Sequence, residues 1–278
     1  MKRINKSKPE GTSKRRARKI YKESRQSKRT NVGKDSDSAD KIKSIRLNKF
    51  IADAGICSRR EADKLIDSGK IRLNGKLVTE LGTKVNPGDL VVYNGKILKS
   101  ERLRYLLLNK PKGFIATSDD PQNRRTVMNL VENACDERIY SVGRLDRNTT
   151  GLLLFTNDGE LTTRLTHPKH GVKKLYHVVL DKPLSKNDLM KIIEGVELED
   201  GNISPDEINW VTDEVDKRHV GIELHSGKNR IVRRLFEHVG YEVIKLDRVI
   251  FAGLTKKDLP RGKWRFLDEK EVNILKMI

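Results

Sequence analysis

From Ile45 onward the chain follows first a helical and then an alternating hydrophobic pattern. Leu47, Phe50, Ile51 and Ala54 fall on one helical face, and Gly55 stands where a C-cap belongs. Ser58 precedes Glu61 by three residues, the capping box that opens a second helix, with Ala62, Leu65 and Ile66 as its apolar face and Gly69 at its end. The period then drops to two. Ile71 and Leu73, an Asn74-Gly75 turn, and Leu77 and Val78 predict a tight β-hairpin. The pattern defines a small helix-helix-hairpin module over residues 44–103, with residues 99–104 as a linker.

A second core begins at Tyr105 and occupies residues 104–278. Strands are predicted over 105–108, 152–156, 175–180, 220–225 and 241–251, all rich in β-branched or aliphatic residues. Helices are predicted over 160–165, opened by Asn157 with Glu160 three residues on, and over 230–239, closed by Gly240. The irregular order of elements favours an α+β domain over a repeating βαβ wind, and no dinucleotide or P-loop glycine fingerprint is present.

Composition changes the picture mainly at the N-terminus. Residues 1–43 hold 16 basic and 5 acidic side chains and almost no large apolar ones. Such a segment cannot offset the entropy of ordering, so a disordered basic arm is expected, serving either solubility or RNA tethering. The arm carries more than half of the formal net charge of +19. Excess positive charge in arm and body calls for a polyanionic partner, because neutralising phosphates releases condensed counterions. RNA, DNA and an anionic membrane surface all qualify. No apolar run approaches the roughly 18 residues of a membrane span and the first residues lack a signal-peptide core, so a soluble cytoplasmic protein is expected. Cys57 and Cys135 are read as two free thiols. No metal site is indicated, since His167 and His170 straddle Pro168.

Two polar segments are candidates for chemistry. Asp146 lies between Arg144 and Arg147, just before the strand predicted over 152–156. Cations on both sides favour its ionised form, available as a nucleophile or base; the same pattern also suits a turn aspartate bridging its arginine neighbours. In the second segment, Val232, Leu235, Phe236 and Val239 form one helical stripe, while Arg230, Arg233 and Arg234 crowd the first turns. Cations there oppose the helix dipole by a few tenths to about 1 kcal/mol each, so an anion, either RNA phosphate or a carboxylate, is expected beside them.

Taken together, these segments resemble a known family. The run Arg46-Leu47-Asn48-Lys49-Phe50, then Ser58-Arg59-Arg60-Glu61-Ala62 and Gly69-Lys70-Ile71-Arg72-Leu73-Asn74-Gly75-Lys76, is similar to the S4 RNA-binding domain. Leu108-Asn109-Lys110-Pro111-Lys112-Gly113, Gly143-Arg144-Leu145-Asp146-Arg147-Asn148-Thr149-Thr150-Gly151, Lys174-Leu175-Tyr176 and Lys228-Asn229-Arg230-Ile231-Val232-Arg233-Arg234-Leu235 follow in the order seen in RsuA/RluB-type pseudouridine synthases. The resemblance covers nearly everything after the arm. It implies a catalytic domain on a mixed, largely antiparallel sheet with flanking helices. It also implies isomerisation of a uridine in RNA, the base leaving C1′ at N1 and rejoining through C5, with no metal or organic cofactor.

Carried over by position, Asp146 is the catalytic carboxylate, Tyr176 the tyrosine that stacks on the base, and Arg233 the cation paired with Asp146. The resemblance also suggests that Lys110 shapes the pocket. Arg144 is either a wedge that extrudes the uridine or a phosphate contact. Lys228, Arg230 and Arg234, with Arg59, Arg60, Lys64, Lys70, Arg72 and Lys76 of the module, are expected RNA contacts. The expected partner of a monomeric enzyme is ribosomal RNA, in the branch that modifies the large subunit, or a pre-ribosomal particle. The alternatives are a non-catalytic RNA-binding assembly factor and a synthase acting on 16S or transfer RNA.

The tethering role of the arm has a direct test. Deleting residues 1–43 is expected to weaken RNA binding and to flatten the slope of log K against log salt by about 0.7–0.9 for each phosphate that the arm had neutralised. The modified position should stay the same. An unchanged salt slope, measured by filter binding from low to high salt, returns the arm to a solubility role.

Overall fold

The computed structural model describes residues 44–211 and 216–278, so the expected arm lies outside the described residues. Strand β1 (Ile45–Arg46) leads into helix α1 (Leu47–Asp53), and α2 (Arg59–Asp67) follows. The capping box is formed: Glu61 N donates to Ser58 Oγ and Ser58 N donates to Glu61 Oε2 at 2.8 Å. Strands β2 (Ile71–Leu73) and β3 (Lys76–Val78) make the hairpin, with Asn74 and Gly75 at φ 51° and 80°, as a type I′ turn requires.

The module is larger than the hairpin pattern implies. Strand β4 (Lys84–Val85) pairs with β1, and β5 (Val91–Tyr93) and β6 (Lys96–Ile97) extend the hairpin into a sheet of order β3-β2-β5-β6. A second Asn-Gly pair, Asn94-Gly95 at φ 48° and 75°, turns β5 into β6. Strands of two and three residues are too short to show alternation, which leaves the turn as their only sequence signal. Leu47, Ile51, Ala62, Ile66, Ile71, Val85, Val91 and Leu98 form one buried cluster inside the module.

The second body contains β7 (Tyr105–Lys110), β8 (Tyr140–Ser141), β9 (Thr150–Thr156), α3 (Gly159–Thr166), β10 (Lys174–Leu180), α4 (Lys186–Glu194), β11 (Val196–Leu198), β12 (Gly201–Ile203), β13 (Glu207–Trp210), β14 (His219–Leu224), α5 (Ile231–His238), β15 (Val243–Phe251), β16 (Leu254–Thr255), β17 (Trp264–Phe266) and α6 (Glu269–Lys276). Its main sheet runs β13-β14-β10-β15-β9-β7-β17, with β8 added to β9 and β16 to β15. Neighbours are antiparallel except β15 and β9. The α+β expectation therefore holds, with helices packed on a mixed sheet.

Both faces of the β7–β9 half are buried, which explains its unbroken aliphatic runs. Leu107, Leu152 and Leu154 pack with Leu161 and Leu165 of α3, while Leu106, Leu108, Leu153 and Phe155 pack with Val127 and Val131 on the other side. In the other half, Val178, Val220 and Ile222 pack with Leu189 and Ile192 of α4 and Leu235 and Phe236 of α5.

Two expectations need correction. Asp158, not Asn157, caps α3, accepting from Glu160 N and Leu161 N. Asn157 instead ties down the segment expected to be a linker, accepting from Arg104 N at 2.8 Å and donating to Arg102 O at 2.9 Å. Module and body also meet where Glu101 N donates to Asp53 O at 2.9 Å and Arg138 N to Glu101 Oε2 at 3.1 Å. Helix α6 escaped the sequence reading although its capping box, Asp268 with Glu271, was there to find.

Gly151 marks where the sheet changes direction. It sits at φ 108°, and a Cβ there would lie 2.2 Å from the Arg248 carbonyl oxygen and 2.5 Å from the Arg248 nitrogen. No side chain fits without parting β9 from β15. Gly151→Ala is expected to destabilise the protein by at least about 2 kcal/mol, from strained backbone and overpacking together. Chemical denaturation reads this directly, and a loss under about 0.5 kcal/mol would show that the strands can separate cheaply.

Candidate active site

The parallel seam between β15 and β9 is short, with only Asp247 opposite Thr150 and Arg248 opposite Gly151. A cleft of about 270 Å³ lies at this seam. Its walls come from the segment Val142–Asp146 and Thr149, from Lys174 and Tyr176 of β10, from residues 226–232, and from Leu246, Arg248 and Phe251 of β15. Segments far apart in sequence thus face one space.

Asp146 is half-buried in this cleft, and its loop is pinned from behind by Lys110. Lys110 is 0% exposed, and its ammonium donates to Thr149 O at 2.8 Å, Asp146 O at 3.0 Å, Pro111 O at 3.3 Å and Arg147 O at 3.4 Å. Burial pushes its pKa down from 10.5 to about 8, with the Asp146 charge opposing the shift and Arg261 adding to it. It is still an ammonium at pH 7. Beside it, Asp247 is pushed up by burial but held at about 2 by hydrogen bonds from Arg261 and Lys256. Asp247 Oδ1 also accepts from Thr150 Oγ1 at 2.9 Å, and Arg261 Nη1 reaches Asn109 Oδ1 at 2.8 Å.

The arginines at the start of α5 divide in a way the sequence did not show. Arg230 is the residue whose guanidinium stands 3.7 Å from Asp146 Oδ2, and it also lies 3.8 Å from Glu237. Its backbone is left-handed at φ 47°, ψ 30°, a conformation that costs a non-glycine residue about 1–2 kcal/mol. Arg233, expected to pair with Asp146, instead donates from Nη1 to Val243 O at 2.7 Å. One helical step further round, it is lowered by burial and by Arg230, and feels Asp146 only at longer range. Arg234 is not a free RNA contact either. It grips Asp200 with two nitrogens at 3.0 and 2.8 Å, and Lys228 joins the same carboxylate at 3.7 Å. The anions expected to compensate these cations are Asp146, Glu237 and Asp200.

Tyr176 lines the same cleft as Asp146, and Arg144 lines it with an exposed side chain. Arg144 also lines a wider groove with Arg59, Arg60, Arg138 and Arg164 between module and body. Lys64, Lys70, Arg72 and Lys76 are exposed on the module, away from the residues that line the cleft. Cys57 and Cys135 are free thiols whose pKa values burial raises, and neither lines the cleft.

Three cleft residues escaped sequence reasoning as site residues: Thr149, Lys174 and Arg248. Burial, then the Arg248 charge, pushes Lys174 down to about 8, with Asp206 opposing, and its ammonium donates to His225 O at 2.6 Å. Arg248 is buried in β15. An Asp-Arg pair inside an aliphatic strand was the available signal. Among the described residues, no group of three or more His, Cys, Asp or Glu is placed to hold a metal, and no helix is long and apolar enough to cross a membrane.

An S4-like module with exposed cations, joined to a mixed-sheet body whose cleft presents a carboxylate beside a tyrosine and arginines, defines an RNA-binding enzyme. Residues 104–238 match the family model of RNA pseudouridylate synthase, and residues 45–91 match the S4 domain. The chain is 42% identical over 237 residues to the ribosomal large subunit pseudouridine synthase B of Bacillus subtilis, covering 84% of this chain and 96% of that one. It is 36% identical over 244 residues to the dual-specificity RNA pseudouridine synthase RluF of Escherichia coli, covering 84% and 80%. A crystal structure of a pseudouridylate synthase superposes with TM-score 0.60 at 30% identity, covering 84% of this chain and all of that one. The chain belongs to the RNA pseudouridine synthases, in the branch that carries an S4 domain, and it isomerises uridine in RNA to pseudouridine.

Lys110 tests how much the loop depends on its anchor. Asp146 O and Arg147 O also accept from Thr149 N and Gly113 N, so Lys110→Met orphans only Pro111 O and Thr149 O among its four acceptors. Two orphaned carbonyls at about 1–3 kcal/mol each are partly offset by relief of about 3 kcal/mol of ammonium burial, so the net stability change should lie between about 1 kcal/mol of gain and about 3 kcal/mol of loss. Activity is expected to fall about 100-fold, because a shift of order 1 Å in the Asp146 loop is enough for that. The pH dependence has a definite sign. The unfolded lysine keeps its proton up to 10.5 while the folded one loses it near 8, so the burial penalty is present below pH 8 and is relieved as pH rises towards 10.5. Lys110→Met should therefore reduce the rise of stability across that window in urea titrations, and an unaltered slope would mean that Lys110 is not the titrating group.

Proposed function

We propose that the substrate is ribosomal RNA of the large subunit and that Asp146 is the carboxylate that acts on the target uridine. The reading rests on one juxtaposition: Asp146, Tyr176 and Arg230, from three separate segments, border the same cleft, with Arg230 3.7 Å from the carboxylate. The match to large-subunit synthase B of Bacillus subtilis supports the choice of RNA.

On this reading residues 44–103 dock the RNA, residues 104–278 perform the chemistry, and the arm over 1–43 adds affinity. The target uridine leaves its helix or loop, a step that costs a few kcal/mol and that Arg144, exposed at the cleft, is placed to assist. The base stacks on Tyr176. Asp146, with the Arg230 guanidinium 3.7 Å away, acts as nucleophile or base while the C1′–N1 bond breaks. The base turns, C5 bonds to C1′, the C5 proton departs and N1 takes up a proton, so the reaction is an isomerisation.

Unmodified 16S, 23S and transfer RNA are incubated with wild type and with Asp146→Asn, and pseudouridine is mapped by carbodiimide-dependent primer extension. A single new stop on 23S RNA is expected with wild type and none with Asp146→Asn. Product that survives the substitution removes Asp146 from the chemistry. Product confined to 16S or transfer RNA reassigns the substrate.

A further inference from the structure

Two buried polar atoms of cleft-lining residues have no partner among the described residues. Arg248 is 4% exposed and Thr149 2% exposed, both line the cleft, and Arg248 Nη2 and Thr149 Oγ1 make no hydrogen bond. Folded proteins satisfy nearly all such atoms, so each orphan asks for an explanation. The remainder of the arginine is fixed. Its Nε donates to Leu152 O at 2.8 Å, and its guanidinium carbon lies 4.5 Å from the centre of the Phe251 ring. The guanidinium is thus held in place with its buried Nη2 unpartnered, on a residue that lines the cleft.

Strand register says what that nitrogen adjoins. Arg248 is the direct antiparallel partner of Tyr176 across β15 and β10, so both side chains leave the sheet on one face. On its other side Arg248 is aligned with Gly151, two residues beyond Thr149. A base stacked on Tyr176 therefore has Arg248 and Thr149 as its neighbours. A backbone phosphate is the other possible taker of an arginine nitrogen, but the exposed cations at the cleft, Arg144 and Arg230, serve it without desolvation. Phosphate contacts position a nucleic acid, whereas a buried donor suits a base edge.

The geometry points to Arg248 and Thr149 as the residues that read the polar edge of the target base, Arg248 donating to the O4 carbonyl oxygen of uracil and the Thr149 hydroxyl accepting from N3–H. This rests on the cleft being the uridine site. Cytosine carries an amino group in place of O4 and an unprotonated N3. An arginine donor would then face another donor, leaving both unsatisfied, whereas the hydroxyl can turn to suit either ring. Arg248 is thereby the specificity-determining residue and Thr149 its adaptable companion.

The test uses the full chain and an RNA oligonucleotide around a uridine that wild type converts; finding that uridine checks the functional reading first and separately. Dissociation constants are then measured in the Asp146→Asn background for RNAs with uridine, cytidine or an abasic ribose at the position. Arg248→Met is expected to lose about 10- to 100-fold of the uridine-over-cytidine preference, with abasic RNA bound as before, and Arg248→Lys to recover part of it. An unchanged ratio, or an equal loss on abasic RNA, overturns the assignment. Should Arg248→Met fail to fold, Thr149→Val carries the test: weaker uridine binding with abasic binding intact is expected, and unchanged uridine binding overturns it.

Discussion

The Lys110 ammonium sits where the end of β7, the loop bearing Asp146 and the start of β9 converge. Loops usually satisfy their backbone in water, yet this one directs carbonyls of Asp146, Arg147 and Thr149 inward onto one buried cation. The arrangement makes a loop with few apolar anchors behave as part of the sheet. It is continued by Asn109, which donates to Leu259 O at 2.8 Å, and by Arg261, which links Asn109 to Asp247. Asp247 in turn holds Thr150. A polar network this buried is stabilising only when nearly every member is satisfied, and here its members tie β7, β9, β15 and the segment before β17 to one another.

That network lies along the seam where two antiparallel half-sheets meet in parallel. Parallel pairing across two residues supplies little stability by itself, and the strands diverge beyond Gly151. Divergence at a reversal of strand direction is what opens a crevice in an otherwise closed sheet. The cleft is therefore a product of topology, and its chemistry comes from what each half delivers to it. One half brings the Asp146 loop; the other brings Tyr176, the turn before α5, and Arg248. Placing the site between two separately packed clusters also allows each side chain to be held by its own core.

How much of this was legible in the sequence depends on whether the signal was local. Capping boxes, Asn-Gly turns and aliphatic runs are local, and they located α1, α2, β2, β3 and the long strands of the body. Asp146 and Tyr176, which line the cleft, stand in segments that the resemblance singles out. The choice of Arg230 over Arg233 as neighbour of Asp146 was not legible. It follows from a left-handed Arg230 backbone, which a sequence pattern for an ordinary helix start does not contain, and from the Val243 carbonyl capturing Arg233. Lys110 was expected to shape the pocket, but its burial as an anchor was not legible, since it arises from a loop 36 residues away. Arg248 was hidden for the converse reason: an arginine in a strand reads as solvent-facing until a neighbouring strand covers it.

The same distinction governs how the positive charge should be interpreted. A formal net charge of +19 suggests many phosphate contacts, but charge that is paired inside the protein releases few counterions on binding. Arg104, Arg234, Arg261 and Arg265 each hold a carboxylate within 3 Å, so they shape the protein. Exposed cations include Arg59, Arg60, Lys64, Lys70, Arg72 and Lys76 on the module and Arg144 and Arg230 at the cleft. On the proposed reading the exposed cations of the module dock the RNA, while the interior of the cleft holds the polar groups that meet an extruded nucleotide. That division is the one expected where phosphate contacts position an RNA and base contacts, made after the base has left its stack, specify it.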